Sequence, residues 1–134
     1  MPHDLRLRYL DYLAVLNERR FDDLGGFVAE RLTYNGEPID LARYRRDRQD
    51  ETETFPDLRF EIGLLVVEGE CLAARLEFDC TPARPFLGRA PSGNRIEFAE
   101  HAFYRFEHGL IVEVRSLLDV EAVRRQLAPL EGSD

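Results

Sequence analysis

The stretch from Glu100 to Asp119 reads as two strands of alternating apolar residues joined at His108-Gly109. Alternation with a period of two is typical of strands, and a glycine in a short connection favours a tight hairpin. Ionisable residues stand in this hairpin where aliphatic ones are more usual: Glu100, His101, Glu113, Arg115 and Asp119. The chain therefore needs a fold that covers a long hairpin while accommodating a group of polar side chains.

Length and charge restrict the class of protein. The 134 residues suit a single domain over residues 1–134, large enough to bury a core. A net charge of −8 argues against nucleic-acid partners and against docking on anionic membranes. All 18 basic residues are arginine, which excludes lysine nucleophiles, Schiff bases and the P-loop phosphate site.

The cysteines and histidines do not predict a metal site. Cys71 and Cys80 fall on opposite faces of one predicted strand, so neither a disulfide nor a shared metal ion is expected. The three histidines are scattered along the chain. Free thiols, no apolar signal core and no stretch of transmembrane length favour a cytoplasmic protein.

The order of the elements predicts the fold class. Apolar residues at helical spacing predict a first helix after Asp4, and Asp40 caps another that runs toward Phe55. A short helix near Asp22 and a short strand at 31–34 lie between them. The remainder reads as strands at 58–67, 71–81 and 95–118, followed by a helix at 120–127. This order predicts an α+β cone, a curved antiparallel sheet wrapped around N-terminal helices, with a hollow suited to a small molecule.

Several short motifs occur in one order along nearly the whole chain: Tyr34-Asn-Gly, Phe55-Pro-Asp-Leu-Arg-Phe, Phe86-Leu-Gly, Pro91-Ser-Gly-Asn-Arg-Ile-Glu-Phe and Tyr104-Arg-Phe-Glu-His-Gly-Leu-Ile-Val-Glu through Asp119. In this order and spacing they resemble the SnoaL-like polyketide cyclase or ester cyclase family of the NTF2-like superfamily. The resemblance implies an NTF2-like cone, often dimeric through the outer face of its sheet, with no metal and no organic cofactor.

The resemblance also implies a reaction. Polyketide cyclases of this family close a ring by intramolecular aldol condensation, in which an aspartate takes a proton from a carbon next to a carbonyl. That aspartate follows the last strand, where this chain has Asp119. The family usually has tryptophan where this chain has Arg115, and an arginine there argues against assuming a polyketide substrate.

The register of the hairpin decides which polar residues share a face. A two-residue turn pairs Glu107 with Leu110 and Tyr104 with Glu113. It puts Glu100, Tyr104, Glu113, Arg115 and Asp119 toward the expected pocket, and His101 on the opposite face. A three-residue turn would shift the register by one residue and separate Glu100 from Arg115. The resemblance places Asp-Gly at this turn, which favours the shorter one.

Asp119 is the first candidate for a base. A carboxylate inside an apolar hollow has a raised pKa, which suits proton abstraction near neutral pH. However, an aspartate directly before a helix is also an ordinary N-cap. Both interpretations stay open.

Three neighbours are candidates with equally ordinary alternatives. Glu100 is either a partner acid in the pocket or one half of a salt bridge to Arg115. Arg115 either binds a substrate carboxylate or enolate, or serves only in that ion pair. His101 is either a proton shuttle or a structural residue.

Further candidates for substrate binding are Asn35, Tyr44, Arg48, Glu113 and Tyr104. Asn35 either bonds a substrate oxygen or only makes a turn. Tyr44 and Arg48 share a stripe of the predicted helix, from which Arg48 either reaches into the hollow or snorkels to solvent. The other charges of this helix, Glu51 among them, read as a solvated face.

The sequence thus predicts a cofactor-independent, homodimeric enzyme that acts on a small carbonyl compound by proton abstraction. The alternative is a non-catalytic module for ligand binding or dimerisation. In that case Asp119 would be engaged by backbone amides, and Glu100 and Arg115 would pair with no space beside them.

Overall fold

The computed structural model describes residues 4–129. The described helices are α1 (Leu5–Asn17), α2 (Leu41–Thr54), α3 (Val120–Gln126) and a 3-10 helix (Phe21–Gly26). The strands are β1 (Val28–Tyr34), β2 (Glu37–Asp40), β3 (Glu61–Glu68), β4 (Cys71–Cys80), β5 (Ile96–Glu107) and β6 (Leu110–Leu118). Within residues 4–129, no helix combines the length and the apolar character needed to cross a membrane.

The strands form one six-stranded sheet in the order β2-β1-β6-β5-β4-β3. The α+β prediction, with N-terminal helices against a curved sheet, is confirmed. The sheet is not antiparallel throughout, because β1 pairs with β6 in parallel. Most of the chain lies between these two strands, so no hairpin forces them to run in opposite directions.

Sequence patterns missed β2. This strand has only four residues and contains Pro38, which cannot donate to a ladder. It is tolerated because β2 is the edge strand of the sheet. In so short a segment, a proline interrupts the alternation of apolar and polar residues by which a strand is recognised from sequence.

The core lies between α1 and the inner face of the sheet. Tyr9 and Leu16 of α1 are buried, as are Leu76 of β4 and Tyr104 and Phe106 of β5. Side chains of this size stabilise a fold by about 1.5–3 kcal/mol each when fully buried. The even-numbered residues of β5 form most of this inner face, whereas the odd-numbered ones are largely exposed.

Aspartates begin all three α-helices. Leu7 N–H donates to Asp4 Oδ1 at 3.2 Å and Arg43 N–H donates to Asp40 Oδ1 at 2.8 Å, which confirms both predicted caps. Ala122 N–H donates to Asp119 Oδ1 at 3.1 Å, so the N-cap interpretation of Asp119 is also confirmed. A cap of this kind stabilises a helix by about 1 kcal/mol.

The hairpin has the predicted two-residue turn but not the predicted register. His108 and Gly109 both have positive φ, at 53° and 79°, and Glu107 pairs with Leu110. Beyond Phe106 and Ile111 the ladder shifts by one residue, so that Arg105 faces Glu113. Val112 is the extra residue, a β-bulge. The predicted pairing of Tyr104 with Glu113 is therefore wrong.

The left-handed backbone at Gly109 leads to a stability prediction. At a φ of 79°, an added Cβ would lie too close to the following carbonyl oxygen. Gly109→Ala should therefore lower the free energy of unfolding by about 1–2 kcal/mol in urea denaturation. Gly26→Ala is the matched control, because an added Cβ there finds no atom within 4 Å and φ is not positive. Equal losses in both variants would contradict the assignment of strain to the turn.

Candidate functional site

A cavity of about 370 Å³ opens between α2, the segment after β4, and the inner face of β5 and β6. This volume falls in the range of small-molecule sites. The side chains around it are of two kinds, aromatic or aliphatic and acidic, with Tyr34 and Thr54 adding hydroxyl groups. Its lining is Tyr34, Asp47, Asp50, Glu51, Thr54, Phe55, Leu58, Phe78, Phe86, Leu87, Phe98, Glu100 and Leu118.

Four phenylalanines form the apolar wall of the cavity. The rings of Phe55 and Phe86 meet edge to face with centroids 4.9 Å apart, and those of Phe78 and Phe98 lie 5.1 Å apart. Pairs at such distances are mutually stabilising and hold the rings in fixed orientations. The cavity therefore offers a rigid surface to a flat, apolar molecule.

Glu100 is the acidic residue that β5 contributes to this wall. Its side chain points inward from the middle of the strand, between the buried Phe98 and Ala102. Its carboxylate accepts a hydrogen bond from the hydroxyl of Ser116 on β6. No arginine within residues 4–129 forms a salt bridge with it. The predicted salt bridge between Glu100 and Arg115 is not formed.

Arg48 and Glu51 form a largely buried ion pair on α2. Arg48 Nε lies 2.6 Å from Glu51 Oε1, and the Arg48 side chain is 12% exposed. The guanidinium carbon lies 4.6 Å above the ring of Tyr44 and 5.4 Å from that of Tyr34. Arg48 therefore does not snorkel to solvent, and it holds Glu51, a residue of the cavity wall.

This pair carries opposed electrostatic effects. Burial is the largest influence on Glu51 and raises its pKa; the charge of Arg48 lowers it, and the charge of Glu100 raises it again. Burial lowers the pKa of Arg48, but Glu51 and three neighbouring tyrosines raise it above its ordinary value. Arg48 therefore remains a cation.

Tyr44 and Tyr104, both predicted to bind substrate, lie in the core of the cone. The Tyr9 hydroxyl donates to that of Tyr104 at 3.1 Å, and the hydroxyls of Tyr12 and Tyr44 are hydrogen-bonded to each other. Neither Tyr44 nor Tyr104 is part of the cavity lining. Their hydroxyls are thus satisfied by other tyrosines, and the rings support the site from behind.

Asn35 has a structural contact. With Gly36 it forms the β1–β2 turn at positive φ, 49° and 84°. Its Oδ1 accepts a hydrogen bond from the backbone N–H of Ser116 at 2.7 Å. The side chain therefore joins this turn to β6, close to the residue that bonds Glu100, and does not line the cavity.

Glu113 and Arg115 lie on the outer face of the sheet, which corrects the prediction that they face the pocket. Arg115 Nε contacts Glu113 Oε2 at 3.0 Å, and Arg105 Nε contacts Glu113 Oε1 at 3.3 Å. The bulge at Val112 is the physical reason, since one extra residue reverses every later side chain of β6. The ion-pair interpretation of Arg115 is correct, but its partner is Glu113.

Asp119 also lies outside the cone. It lines a groove on the outer face together with Glu77, Asp79 and Glu97. The prediction that it shares a face with Glu100 is wrong, for the same bulge. His101 is on the outer face, as its register predicted, and Arg75 donates to its Nε2 at 2.9 Å. The catalytic roles of Asp119 and His101 stay predictions.

The residues that reasoning from sequence missed are Tyr34, Asp50, Glu51 and Ser116. The sequence pattern places Asp50 and Glu51 on a helix face that is predicted to be solvated. The signal that identifies them is the spacing of Asp47, Glu51 and Thr54, which share one face of α2 directly before Phe55. Ser116 faces inward only because of the bulge.

The two functional alternatives make different demands on this geometry. Asp119 is engaged by a backbone amide, as a non-catalytic module would have it. Glu100 and Arg115 are separated by the sheet, however, and open space adjoins Glu100. The geometry therefore moves the candidate site from Asp119 to Glu100.

Comparison with known proteins identifies related chains. The family model described as SnoaL-like polyketide cyclase matches residues 6–127. A SnoaL-like polyketide cyclase from Agrobacterium tumefaciens is 44% identical, with a TM-score of 0.89 over 92% of this chain and 98% of that one. TsrD from Streptomyces laurentii is 22% identical, with a TM-score of 0.83 over 94% of this chain and 96% of that one, a likeness of fold alone. No curated protein matches the chain.

The tyrosine cluster predicts a high-pH transition. Burial is the main cause that raises the pKa of Tyr9, Tyr12, Tyr44 and Tyr104 in the folded chain. A raised pKa means that the folded chain favours the neutral tyrosines. Because an unfolded tyrosine ionises near pH 10, the free energy of unfolding keeps its full value below that pH and decreases as the pH rises further. Tyrosinate absorbance of these four residues should appear together with the loss of circular dichroism. Ionisation of all 5 tyrosines near pH 10 in a chain that stays folded would contradict it.

Proposed function

The chain belongs to the SnoaL-like polyketide cyclase family, and from this premise we propose that it closes a ring in a small carbonyl compound by abstracting a proton, with Glu100 as the base. Membership supports a cyclase of the cofactor-independent type. The observation that carries the proposal is the position of Glu100, a carboxylate without a cationic partner among residues 4–129, beside a cavity walled by aromatic rings.

The chemistry needs one base and one proton return. Glu100 takes a proton from the carbon next to a substrate carbonyl, and the resulting enolate attacks a second carbonyl of the same molecule. A carbon–carbon bond forms, the second carbonyl oxygen becomes an alkoxide, and the proton on Glu100 is returned to it. The product is an isomer of the substrate, so no other reactant is needed.

Hydroxyl groups in the cavity suit the developing negative charge. Thr54 Oγ1 accepts a hydrogen bond from Arg84 Nε at 2.9 Å, which leaves the hydrogen of its own hydroxyl for a ligand. Tyr34, a second residue with a hydroxyl group, also lines the cavity. Donors fixed in place before the reaction stabilise an enolate without reorganising. We assign this role to Tyr34 and Thr54.

Ser116 positions the base. Its hydroxyl hydrogen bond fixes the Glu100 carboxylate across the β5–β6 ladder, where Glu100 pairs with Leu118 and Ala102 with Ser116. A base held in one rotamer meets the substrate carbon in a constant geometry. This function requires the bulged register, since in an unbulged ladder Ser116 would face outward.

The homodimer that the family resemblance implies belongs to the same proposal. Leu64, Val66, Phe103 and Leu117 are apolar side chains more than half exposed on the sheet strands β3, β5 and β6. Exposed apolar groups of this number on one sheet favour burial against another protein surface. We place the second copy on this outer face, away from the mouth of the cavity.

Hydrogen exchange on a ketone tests the proposed base. The wild-type protein should speed deuterium exchange at the α-carbon of α-tetralone, a two-ring ketone, as followed by proton NMR in D₂O. Glu100→Gln keeps the shape of the side chain but removes the base, and should lower this exchange by about 100-fold or more. The melting temperature of the variant shows whether it folds normally.

Asp119→Asn is the matched control, because asparagine caps a helix about as well as aspartate. It should leave exchange close to the wild-type rate. Exchange no faster than in buffer would support the non-catalytic binding module. Loss of exchange in Asp119→Asn, with Glu100→Gln unaffected, would assign the base to Asp119 instead.

A further inference from the structure

We propose that the substrate is a flat apolar molecule that carries a protonated amine and no carboxylate, with the amine held at the mouth of the cavity by Asp50. This inference takes the cavity as the substrate site and so rests on the proposed function. It concerns the charge of the substrate, which neither the fold nor the family assigns.

The first observation is the composition of the wall. Helix α2 presents three carboxylates to the cavity, those of Asp47, Asp50 and Glu51, and β5 adds a fourth with Glu100. Spacings of three and four residues put the helical carboxylates on neighbouring positions of one face. No arginine side chain is part of this lining.

The second observation is that only half of this charge is compensated. Asp47 contacts Arg43 Nε at 3.2 Å, and Glu51 contacts Arg48 Nε at 2.6 Å. Asp50 and Glu100 make no salt bridge to any residue in the described range 4–129. The cavity therefore has two carboxylates in excess of its cations.

Arg84 is the cation that comes near Asp50 without pairing with its carboxylate. Its Nη2 donates to the backbone carbonyl of Asp50 at 3.1 Å, and its Nη1 contacts Glu53 Oε2 at 3.2 Å. Its Nε donates to Thr54. Arg84 is thus committed to the end of α2, and the side chain of Asp50 stays available to a ligand.

Position separates the roles of the two uncompensated carboxylates. Asp50 is exposed and lies at the mouth, whereas Glu100 is largely enclosed between β5, β6 and the phenylalanine wall. A base paired with an ammonium group would be a weaker base. The amine therefore belongs at Asp50, and the carbonyl belongs at Glu100.

An anionic ligand meets the opposite situation. A carboxylate that enters the cavity approaches Asp50 and Glu100, and no cation of the described residues lines the cavity to receive it. Like charges in a partly desolvated site repel. Arg48 does not offset this, because its charge is already opposed by Glu51. The net charge of −8 on the whole chain acts in the same direction at longer range.

Three probes with the same ring system test the inference by isothermal titration calorimetry: aminomethylnaphthalene, hydroxymethylnaphthalene and naphthoate. The amine should bind about fivefold more tightly than the neutral alcohol, and naphthoate should bind more weakly than either. The advantage of the amine should shrink at high NaCl concentration, because salt screens charges at an exposed mouth.

Asp50→Asn should remove most of the advantage of the amine, a change of about threefold, and leave the affinity for the alcohol unchanged. Asp50 is exposed and its side chain has no partner among residues 4–129, so this variant should fold normally. Asp11→Asn on α1 is the matched control, since it makes the same change at an exposed helix position outside the cavity lining and leaves the Arg84–Glu53 contact intact.

The inference is overturned if naphthoate binds as tightly as the amine, if no probe binds, or if Asp50→Asn and Asp11→Asn behave alike. These outcomes are separate from those of the ketone exchange. A correct order of affinities without exchange on α-tetralone would remove the proposed reaction and keep the ligand class. Exchange with the wrong order of affinities would do the reverse.

Discussion

A single inserted residue in β6 determines which side chains of that strand lie on the inner and which on the outer face of the sheet. Val112 lies between the pair Phe106–Ile111 and the pair Arg105–Glu113, and it reverses the orientation of every later side chain of the strand. The inner face thereby receives Ser116, while the charged residues of β6 go to the outer face. The bond between Ser116 and Glu100, and with it the geometry of the proposed base, depends on this bulge.

The interior of the cone combines a rigid support with an unfilled region. Behind the cavity, the paired hydroxyls of buried tyrosines and the cation–π contacts of Arg48 hold α2 in place. In front, phenylalanines leave room for a molecule of small size. Two carboxylates therefore have different surroundings. Burial raises the pKa of Glu51, which pairs with Arg48, whereas Glu100 accepts a hydrogen bond from a neutral hydroxyl. Such differences between neighbouring carboxyl groups are how acid–base sites divide their roles.

Much of the fold follows from local rules, and the site follows only in part. Aspartate caps, apolar periodicity and a glycine turn act over a few residues, so the helices after Asp4 and Asp40 and the turn at Gly109 were predictable. The inward position of Glu100 followed from the alternation of β5. The bulge did not, because valine and isoleucine around residue 112 fit either register and their pattern carries no sign of an extra residue. The role of Glu51 was hidden because a charged helix stripe resembles a solvated one until the sheet covers it.

The most direct test of Glu100 as the base is a crystal structure with α-tetralone bound. The ketone should lie inside the cone against the phenylalanine wall, with its α-carbon within reach of the Glu100 carboxylate and its oxygen toward Tyr34 or Thr54. A ketone seated in the outer groove at Asp119 would contradict this role of Glu100. So would a cone whose cavity is closed by side chains when the ketone is bound elsewhere.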